Sequence, residues 1–323
     1  MTNTPARQHF ATRLNSFALG GGVAHPVKKA STLDLVEIAG QVSGLTALEV
    51  NYPEHFVDTS PAELSSAIKD AQLVNTGIQV RWPASRFSDG GFTNPSQQVR
   101  ADAVHVAKEA VDVCREMGSD HVVLWPAHDG YEYPFQMDYR SGWRQLVECY
   151  TEVADHARGL TVSIEFKPAE PRARTLLSTT GSVLALIDET RCENLSVTLD
   201  FAHLLMAHEN PAQSIAMCLA QGRLKGLQLN DGWGAADDGI ALGSVSLVQT
   251  LEAFFYLLRD GYTGTYYFDT DPVRENPVRE CETNIARTKQ LLATAQQLVD
   301  GGQLPNLDAL TGSAIWWDAL VRR

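Results

Sequence analysis

The chain has 323 residues, of which 44% are hydrophobic and 20% are charged. This balance predicts a globular protein with a large core, and it excludes a disordered chain, a collagen and a small disulfide-stabilised scaffold. The 26 basic and 39 acidic residues give a net charge of −13, which disfavours nucleic acid as a partner because an acidic surface repels phosphate backbones.

The sequence also carries signals about its compartment. It contains no run of 18 apolar residues, and the polar segment 1–10 does not have the apolar core of a secretory signal. The five cysteines are odd in number and no two form a C-x-x-C pair, which is typical of a reducing compartment. We therefore expect a cytoplasmic protein that does not interact with a membrane.

Eight short apolar segments rich in β-branched residues alternate along the chain with longer amphipathic segments. The predicted strands cover residues 14–19, 45–51, 77–82, 121–125, 161–166, 195–200, 224–230 and 265–269. Helix start signals of the Ser-Pro and Asn-Pro type lie between them, at 60–61, 94–95 and 210–211. Gly118 and Gly261 follow the predicted ends of two helices.

Eight strand–helix units in about 300 residues predict a closed (β/α)8 TIM barrel of the α/β class rather than an open doubly wound sheet. The glycines at 20–22 lack the G-x-G-x-x-G spacing and no Walker A sequence occurs, which disfavours dinucleotide and nucleoside triphosphate binding. We expect the barrel to cover residues 1–302. Residues 303–323, with Trp316 and Trp317, are expected to form a C-terminal extension that packs on the barrel or on a partner subunit.

Polar side chains stand at the ends of four consecutive predicted strands, at the rim where the catalytic groups of such barrels lie. Strands five, six and eight end in Glu165, Asp200 and Asp269, and strand seven ends in a segment with Gln228 and Asn230. Three carboxylates at one rim repel one another unless a cation lies between them, and oxygen ligands suit Mn²⁺, Mg²⁺ or Co²⁺. The sequence therefore predicts a divalent metal site.

Two basic side chains follow these strand ends. Lys167 lies two residues beyond Glu165, so the period of a strand predicts that both side chains face the same side. Lys167 either neutralises a developing oxyanion, binds a sugar hydroxyl or is an ordinary surface lysine. His203 lies three residues after Asp200 and is a second-site ligand, an acid or base, or a hydrogen-bonded neighbour of the site. We assign His203 and Asn230 to substrate binding.

The loop after strand four combines aromatic and polar side chains. Flat aromatic faces stack on the C–H patches of sugars, and sugar hydroxyls need polar partners. We therefore assign Trp125, Asp129 and Tyr131 to substrate binding and His128 to general acid–base catalysis. The alternatives are that His128 is an ordinary loop histidine and that Asp129 only forms a turn. Residues after strands two and three complete the rim, namely Glu54, His55, Arg81 and Trp82.

These strand ends resemble those of the sugar isomerase/epimerase superfamily, whose barrels have the xylose isomerase-like fold. The resemblance covers residues 45–292 and is greatest for the L-rhamnose isomerase-like branch. Its motifs match Trp125 before an Asp-Gly turn, the Glu-x-Lys of strand five, the Asp-x-x-His of strand six and the Phe-Asp pair of strand eight. The family implies that Glu165, Asp200, the strand-seven residue and Asp269 hold a catalytic metal, with Mn²⁺ as the first expectation.

Strand seven departs from the family pattern. The family usually has a histidine ligand where this chain has Gln228, and a neutral amide oxygen binds borderline metals less tightly than an imidazole does. In the isomerase branch, carboxylates after strand seven hold part of a second metal site. The residues that could form it here are Asp231, Asp237 and Asp238, together with His203.

The chain also resembles the large (α) subunit of bacterial C-glycoside deglycosidases, which acts with a small β subunit on 3-keto-C-glycosides. The segment 128–136, the altered ligand Gln228 and the tail with Trp316 and Trp317 are compatible with this resemblance. It implies a hetero-oligomer that contains a small β subunit.

Both resemblances imply removal of a proton next to a sugar carbonyl through a metal-stabilised enediolate. Reprotonation gives isomerisation or epimerisation, whereas loss of a group from the β-carbon gives elimination. The first hypothesis is C-glycoside deglycosidase, with Glu165, Lys167 and His128 as catalytic residues, and the alternative is an isomerase or epimerase of free sugars. Two further hypotheses are an endonuclease-IV-like phosphodiesterase, which needs several histidine ligands, and a non-catalytic metal-binding barrel.

Overall fold

The computed structural model describes residues 8–18, 30–126, 128–302 and 312–321. Eight strands form a closed barrel: β1 Phe10–Arg13, β2 Ala47–Tyr52, β3 Val74–Val80, β4 His121–Leu124, β5 Thr161–Glu165, β6 Leu195–Asp200, β7 Leu224–Leu229 and β8 Tyr266–Phe268. Neighbouring strands are parallel throughout, and β1 closes the barrel by pairing with both β2 and β8. The predicted (β/α)8 TIM barrel is confirmed.

Helices cover the outside of the barrel. They are α1 Thr32–Ala39, α2 Pro61–Asp70, α3 Ala84–Phe87, α4 Gln97–Glu116, α5 Tyr139–His156, α6 Thr180–Thr190, α7 Phe201–Met206, α8 Pro211–Ala220, α9 Leu247–Arg259, α10 Pro277–Asp300 and α11 Gly312–Leu320. Two of the predicted start signals act as N-caps: the Ser60 side chain accepts from Glu63 N, and the Asn210 side chain accepts from Ala212 N. Within the described segments, no helix combines the length and apolar character that crossing a membrane requires.

The strands alternate between apolar residues that face the helices and polar residues that face the barrel interior. In β3, for example, Ile78 and Val80 belong to the apolar core under the helices, whereas Gln79 between them is buried with polar neighbours. His121 Nε2 lies 2.7 Å from Ser163 Oγ, so interior side chains hydrogen-bond across adjacent strands. This period of two determines which strand-end residues face the centre of the rim.

The first strand lies earlier than the sequence predicts. Residues 14–18 form a 3₁₀ helix rather than part of a strand over 14–19, and Leu19 lies outside the described residues. Leu14 and Phe17 are both buried, as expected for side chains three residues apart on a 3₁₀ turn, whereas a strand would point them to opposite faces. The strand β1 therefore ends at Arg13, which brings this residue to the rim.

A small antiparallel sheet lies in the loops that follow β4 and β5. Its strands are Gly130–Tyr131, Ala169–Glu170 and Ala173–Thr175, with the last in the middle. Gly130 is required there, because a Cβ atom at this position would lie 1.8 Å from Arg174 O. The sheet fixes the course of two loops that lead to the strand-end residues.

The described part of the C-terminal segment is helix α11, which borders a cavity of about 370 Å³ together with α9 and α10. Ala319 is buried and Leu320 packs against the main apolar core. The domain division at residue 302 stays a prediction, since part of the segment beyond it lies outside the described residues.

Candidate active site

Glu165 and Asp200 end the neighbouring strands β5 and β6 at the same rim. Asp200 is also the N-cap of α7, and its Oδ1 atom accepts a hydrogen bond from His203 N at 3.0 Å. The first turn of α7 therefore directs the His203 side chain back toward the two carboxylates. The helical turn that begins after Asp200 explains this arrangement.

The side chains of Glu165, Asp200 and His203 form a buried cluster in which one ligand atom from each lies within 4.8 Å of the others. His203 Nδ1 lies 3.7 Å from Glu165 Oε1 and 3.9 Å from Asp200 Oδ1. Among the described residues, neither Glu165 Oε1 nor His203 Nδ1 has a hydrogen-bond partner. Buried polar atoms without partners are costly, and a divalent cation would satisfy both of them. The residues present therefore fit the predicted metal.

Burial and mutual charge shift the pKa values in this cluster. Burial raises the pKa of Glu165, and it raises the pKa of Asp200 to about 7. Burial alone would lower the pKa of His203, but the carboxylates of Asp200 and Asp237 outweigh it and raise this pKa to about 9. The imidazole must lose its proton before it can bind a metal, so metal binding here releases a proton.

Asp269 occupies a different part of the rim. Its Oδ1 atom accepts a hydrogen bond from Arg13 Nη1 at 3.1 Å, and its Oδ2 atom lies 3.8 Å from Arg81 Nη2. The same Arg81 nitrogen lies 4.0 Å from Glu165 Oε2, and the guanidinium stacks on the Trp125 ring at 4.5 Å. Asp269, predicted as a metal ligand, therefore has two arginine neighbours.

Lys167 lies beside the cluster and is paired with carboxylates. Its Nζ atom contacts Glu170 and lies 3.2 Å from Asp237 Oδ2, and it also faces the Trp125 ring at 5.4 Å. Burial lowers the pKa of Lys167, but the carboxylates of Asp237 and Glu170 outweigh that effect and raise it. The ammonium group is therefore held in its charged form at the edge of the site.

Asn230 and Gln228 support the cluster from strand seven and its end. Asn230 Nδ2 donates to Asp200 Oδ2 at 2.9 Å, and its Oδ1 atom accepts from Ala202 N at 2.8 Å. Gln228 Nε2 donates to Glu165 Oε2 at 3.0 Å, while its Oε1 atom is buried without a partner among the described residues. Asn230, predicted to bind substrate, thus orients Asp200, and Gln228 has one oxygen without a partner among the described residues.

The residues considered for a second metal site are used in other contacts. Asp231 accepts hydrogen bonds from the backbone N–H groups of Val245 and Ser246, each at 2.8 Å. Asp238 accepts from Trp233 N at 2.7 Å. Only Asp237 faces the site, where its Oδ2 atom lies 3.2 Å from His203 Nε2 and so fixes the orientation of the imidazole.

The predicted site residues of the loop after β4 lie in different places. Trp125 lies under Arg81 and Lys167, at the site. Asp129 is buried and accepts from Thr93 N at 2.7 Å, from Thr93 Oγ1 at 2.8 Å and from Phe92 N at 3.2 Å. Its carboxylate therefore holds the segment 92–93 and has few acceptor positions left for a substrate.

His128 and Tyr131 line a cavity of about 580 Å³ with Thr93 and Gln136, and none of the cluster residues lines it. No hydrogen bond or ion pair within the described segments joins His128 to Glu165 or Asp200. General acid–base groups contribute about 10²–10⁴-fold to catalysis, but from this cavity we expect His128→Ala to lower kcat/KM by less than about threefold. A loss of about 100-fold in steady-state kinetics would instead restore the assignment of His128 as the acid or base.

The sequence did not reveal two residues of this site. Arg13 was missed because the first strand was placed four residues too late, although it would have stood at a strand end with the correct bounds. Glu170, the partner of Lys167, belongs to the small sheet, whose strands of two and three residues carry no periodic signal.

The family model described as "Xylose isomerase-like TIM barrel" matches residues 38–293. The chain belongs to this family. The prediction of an enzyme of the sugar isomerase/epimerase superfamily is therefore confirmed at the level of the family, without assigning a branch. Two curated relatives are the xylose isomerases of Thermus thermophilus, 30% identical over 75% of this chain and 67% of the relative, and of Thermus caldophilus, 31% identical over 67% and 59%.

Solved structures show the same fold at lower identity. An L-ribulose 3-epimerase superposes with a TM-score of 0.72 at 18% identity, covering 93% of this chain and 99% of the other. A D-allulose 3-epimerase from Methylomonas sp. gives 0.68 at 17% identity, covering 88% and 98%. The IOLI protein with a bound zinc atom gives 0.67 at 15% identity, covering 89% and 99%. These members of the fold thus include sugar epimerases and a metal-binding protein.

Proposed function

We propose that this protein is a divalent-metal-dependent sugar isomerase or epimerase. The observation that carries the proposal is the buried cluster of Glu165, Asp200 and His203, in which Glu165 Oε1 and His203 Nδ1 lack partners among the described residues. The cluster lies at the carboxyl ends of β5 and β6, which is where TIM-barrel enzymes hold their reacting groups. The xylose isomerase relatives and the epimerase neighbours support a sugar as the substrate.

These three residues would hold the metal, with Gln228 Oε1 as a further oxygen donor. When bound, a divalent ion supplies Lewis-acid polarisation of a sugar carbonyl and its neighbouring hydroxyl. Asn230 fixes Asp200 and Asp237 fixes His203, so both ligands are oriented before the metal arrives. The sequence-based preference for Mn²⁺ is kept as part of the proposal.

The neighbouring side chains account for the remaining requirements of proton transfer. We assign Glu165 as the proton acceptor through its Oε2 atom, which faces Gln228 and Arg81 rather than the unpartnered side of the cluster. Lys167 carries a positive charge beside the cluster and can stabilise negative charge that develops on a sugar oxygen. Trp125 offers an aromatic face to the C–H groups of a sugar, although Arg81 and Lys167 already lie over part of it.

Sugar isomerase or epimerase activity is better supported than the C-glycoside deglycosidase activity that the sequence favours. The relatives and neighbours named above are xylose isomerases and sugar 3-epimerases. The sequence features that suggested a deglycosidase included His128, which lines a cavity without the cluster residues. The small β subunit is therefore not part of the proposal.

The proposal is tested by incubating the protein with ketopentoses and ketohexoses in D₂O. Protein stripped with EDTA is compared with protein reloaded with Mn²⁺, Co²⁺ or Mg²⁺. We expect metal-dependent appearance of an isomer or epimer with deuterium at the carbon next to the carbonyl, because removal and return of that proton is the shared step. No deuterium incorporation with any metal and ketose would refute the proposal, and release of an aglycone from 3-keto-C-glycosides would favour the deglycosidase.

A further inference from the structure

Asp269 is neutralised by the protein itself. Arg13 Nη1 donates to Asp269 Oδ1 at 3.1 Å and lies 2.9 Å from Asp271 Oδ1. Arg81 Nη2 approaches the other oxygen of Asp269 at 3.8 Å. With a guanidinium near each of its oxygens, this carboxylate does not need a metal to balance its charge.

Arg81 is held in place from inside the barrel. Its Nη2 atom donates to Gln79 Oε1 at 2.9 Å, and Gln79 Nε2 donates in turn to Glu49 Oε2 at 3.0 Å. Gln79 and Glu49 are buried, and the Trp125 ring lies against the guanidinium at 4.5 Å. This chain of contacts fixes the cation between two strand-end carboxylates, so it is not an arginine that moves freely in solvent.

The two carboxylate oxygens of Glu165 have different neighbours. Its Oε2 atom accepts from Gln228 Nε2 at 3.0 Å and lies 4.0 Å from Arg81 Nη2. Its Oε1 atom points toward His203 Nδ1 at 3.7 Å, and both of these atoms lack partners within the described segments. The Arg81 guanidinium thus lies on the Oε2 side of Glu165. On the Oε1 side, two atoms that could bind a metal lack partners among the described residues.

We infer that Arg13 and Arg81 withhold Asp269 from the divalent cation, which is bound on the side of Asp200 and His203 instead. In this arrangement His203 is a ligand together with Glu165, Asp200 and Gln228 Oε1, and Gln79 is a positioning residue that keeps Arg81 beside Asp269. The inference rests on the metal site of the proposed function, but it departs from the ligand set that the family resemblance implies for strand eight. An imidazole with two carboxylates suits Mn²⁺, Co²⁺ or Zn²⁺.

The test is calorimetric titration of metal-stripped protein with Mn²⁺, which does not depend on turnover. We expect Asp269→Asn to weaken Mn²⁺ binding by no more than about threefold, because it removes a nearby negative charge but no ligand. Arg81→Met is expected to tighten binding by about tenfold, because it removes a positive charge near a divalent ion and frees Asp269. In the Arg81→Met background, Asp269→Asn should then weaken binding by about tenfold.

Matched controls separate a local effect from a change of net charge. Arg158→Met and Asp120→Asn alter exposed residues that precede β5 and β4, at the opposite end of the barrel, and should leave Mn²⁺ binding unchanged. Gln79→Met is a second variant that removes the hydrogen bond to Arg81 without changing any charge. It should tighten Mn²⁺ binding in the same direction as Arg81→Met, by about threefold.

The outcomes distinguish this inference from the proposed function. If Asp269→Asn in the otherwise unchanged protein weakens Mn²⁺ binding by about tenfold or more, Asp269 is a ligand and the inference is wrong. Unchanged or weaker binding by Arg81→Met also overturns it. If the unaltered protein binds no Mn²⁺, or if Asp200→Asn binds it equally well, the metal site itself is refuted and the proposed function fails with it.

Discussion

Asp200→Asn is expected to lower Mn²⁺ affinity by at least about 100-fold and kcat/KM by about 10³-fold. The substitution removes a negative charge from the buried cluster that it forms with Glu165 and His203. It also breaks a hydrogen bond. Asn230 Nδ2 donates to Asp200 Oδ2 in the present structure and would face an amide NH₂ group, which is itself a donor. Mn²⁺ titration and steady-state kinetics with the ketose identified in D₂O measure both losses.

Asp200→Asn should keep the N-cap of α7, so a loss of Mn²⁺ affinity in this variant reports on the metal site. The amide oxygen of asparagine can still accept the hydrogen bond from His203 N, so α7 should begin at the same residue. Asp120→Asn is the matched control, since it makes the same chemical change at an exposed position before β4. Mn²⁺ affinity within about threefold of the control would contradict a role of Asp200 as a ligand.

The positions of the two central carboxylates could be predicted because they depend on local rules. Alternation along β5 and β6 determines which residues face inward, and parallel strands in a barrel bring their carboxyl ends to one rim. The same rules place Glu165 and Asp200 together without knowledge of the loops. The fold and this half of the site therefore followed from the sequence.

The rest of the site is formed by residues that are far apart in the sequence. Arg13 and Asp269 are 256 positions apart, and only closure of the barrel by β1 and β8 brings them together. Asp129 is predicted to bind a sugar, with a turn as the alternative, and its hydrogen bonds to Thr93 could not be foreseen from its neighbours in the sequence. Pairing of side chains across strands has no periodic signal in the sequence. The full set of metal ligands could therefore not be predicted from the sequence.

Glu49 gives the second large prediction, which concerns stability rather than catalysis. Burial in the barrel interior raises the pKa of Glu49 to about 7, against the hydrogen bonds from Gln79 and Thr76, and the carboxylates of Glu165 and Asp269 raise it further. In the unfolded chain this glutamate has its ordinary pKa, which is lower by about 2.5. The folded protein therefore holds this proton more tightly than the unfolded chain does.

The sign of the pH dependence follows from this difference. Between pH 4.5 and 7 the native state keeps the proton that the unfolded chain has released, so raising the pH through this window lowers the free energy of unfolding. The total loss from this group is about 3 kcal/mol, reached above pH 7. Glu49→Gln places an uncharged side chain of similar shape at the same position and should remove that loss.

We therefore expect Glu49→Gln to match the unaltered protein at pH 4.5 and to be more stable at pH 8 by about 2–3 kcal/mol, in the absence of metal. Urea unfolding at a series of pH values measures the difference, and taking the difference cancels the titration of groups that do not interact with Glu49. Glu37→Gln on the surface of α1 is the control for loss of one carboxylate. A constant difference between Glu49→Gln and the unaltered protein at all pH values would show that Glu49 has the same pKa in the folded and unfolded chains, with the hydrogen bonds from Gln79 and Thr76 offsetting its burial.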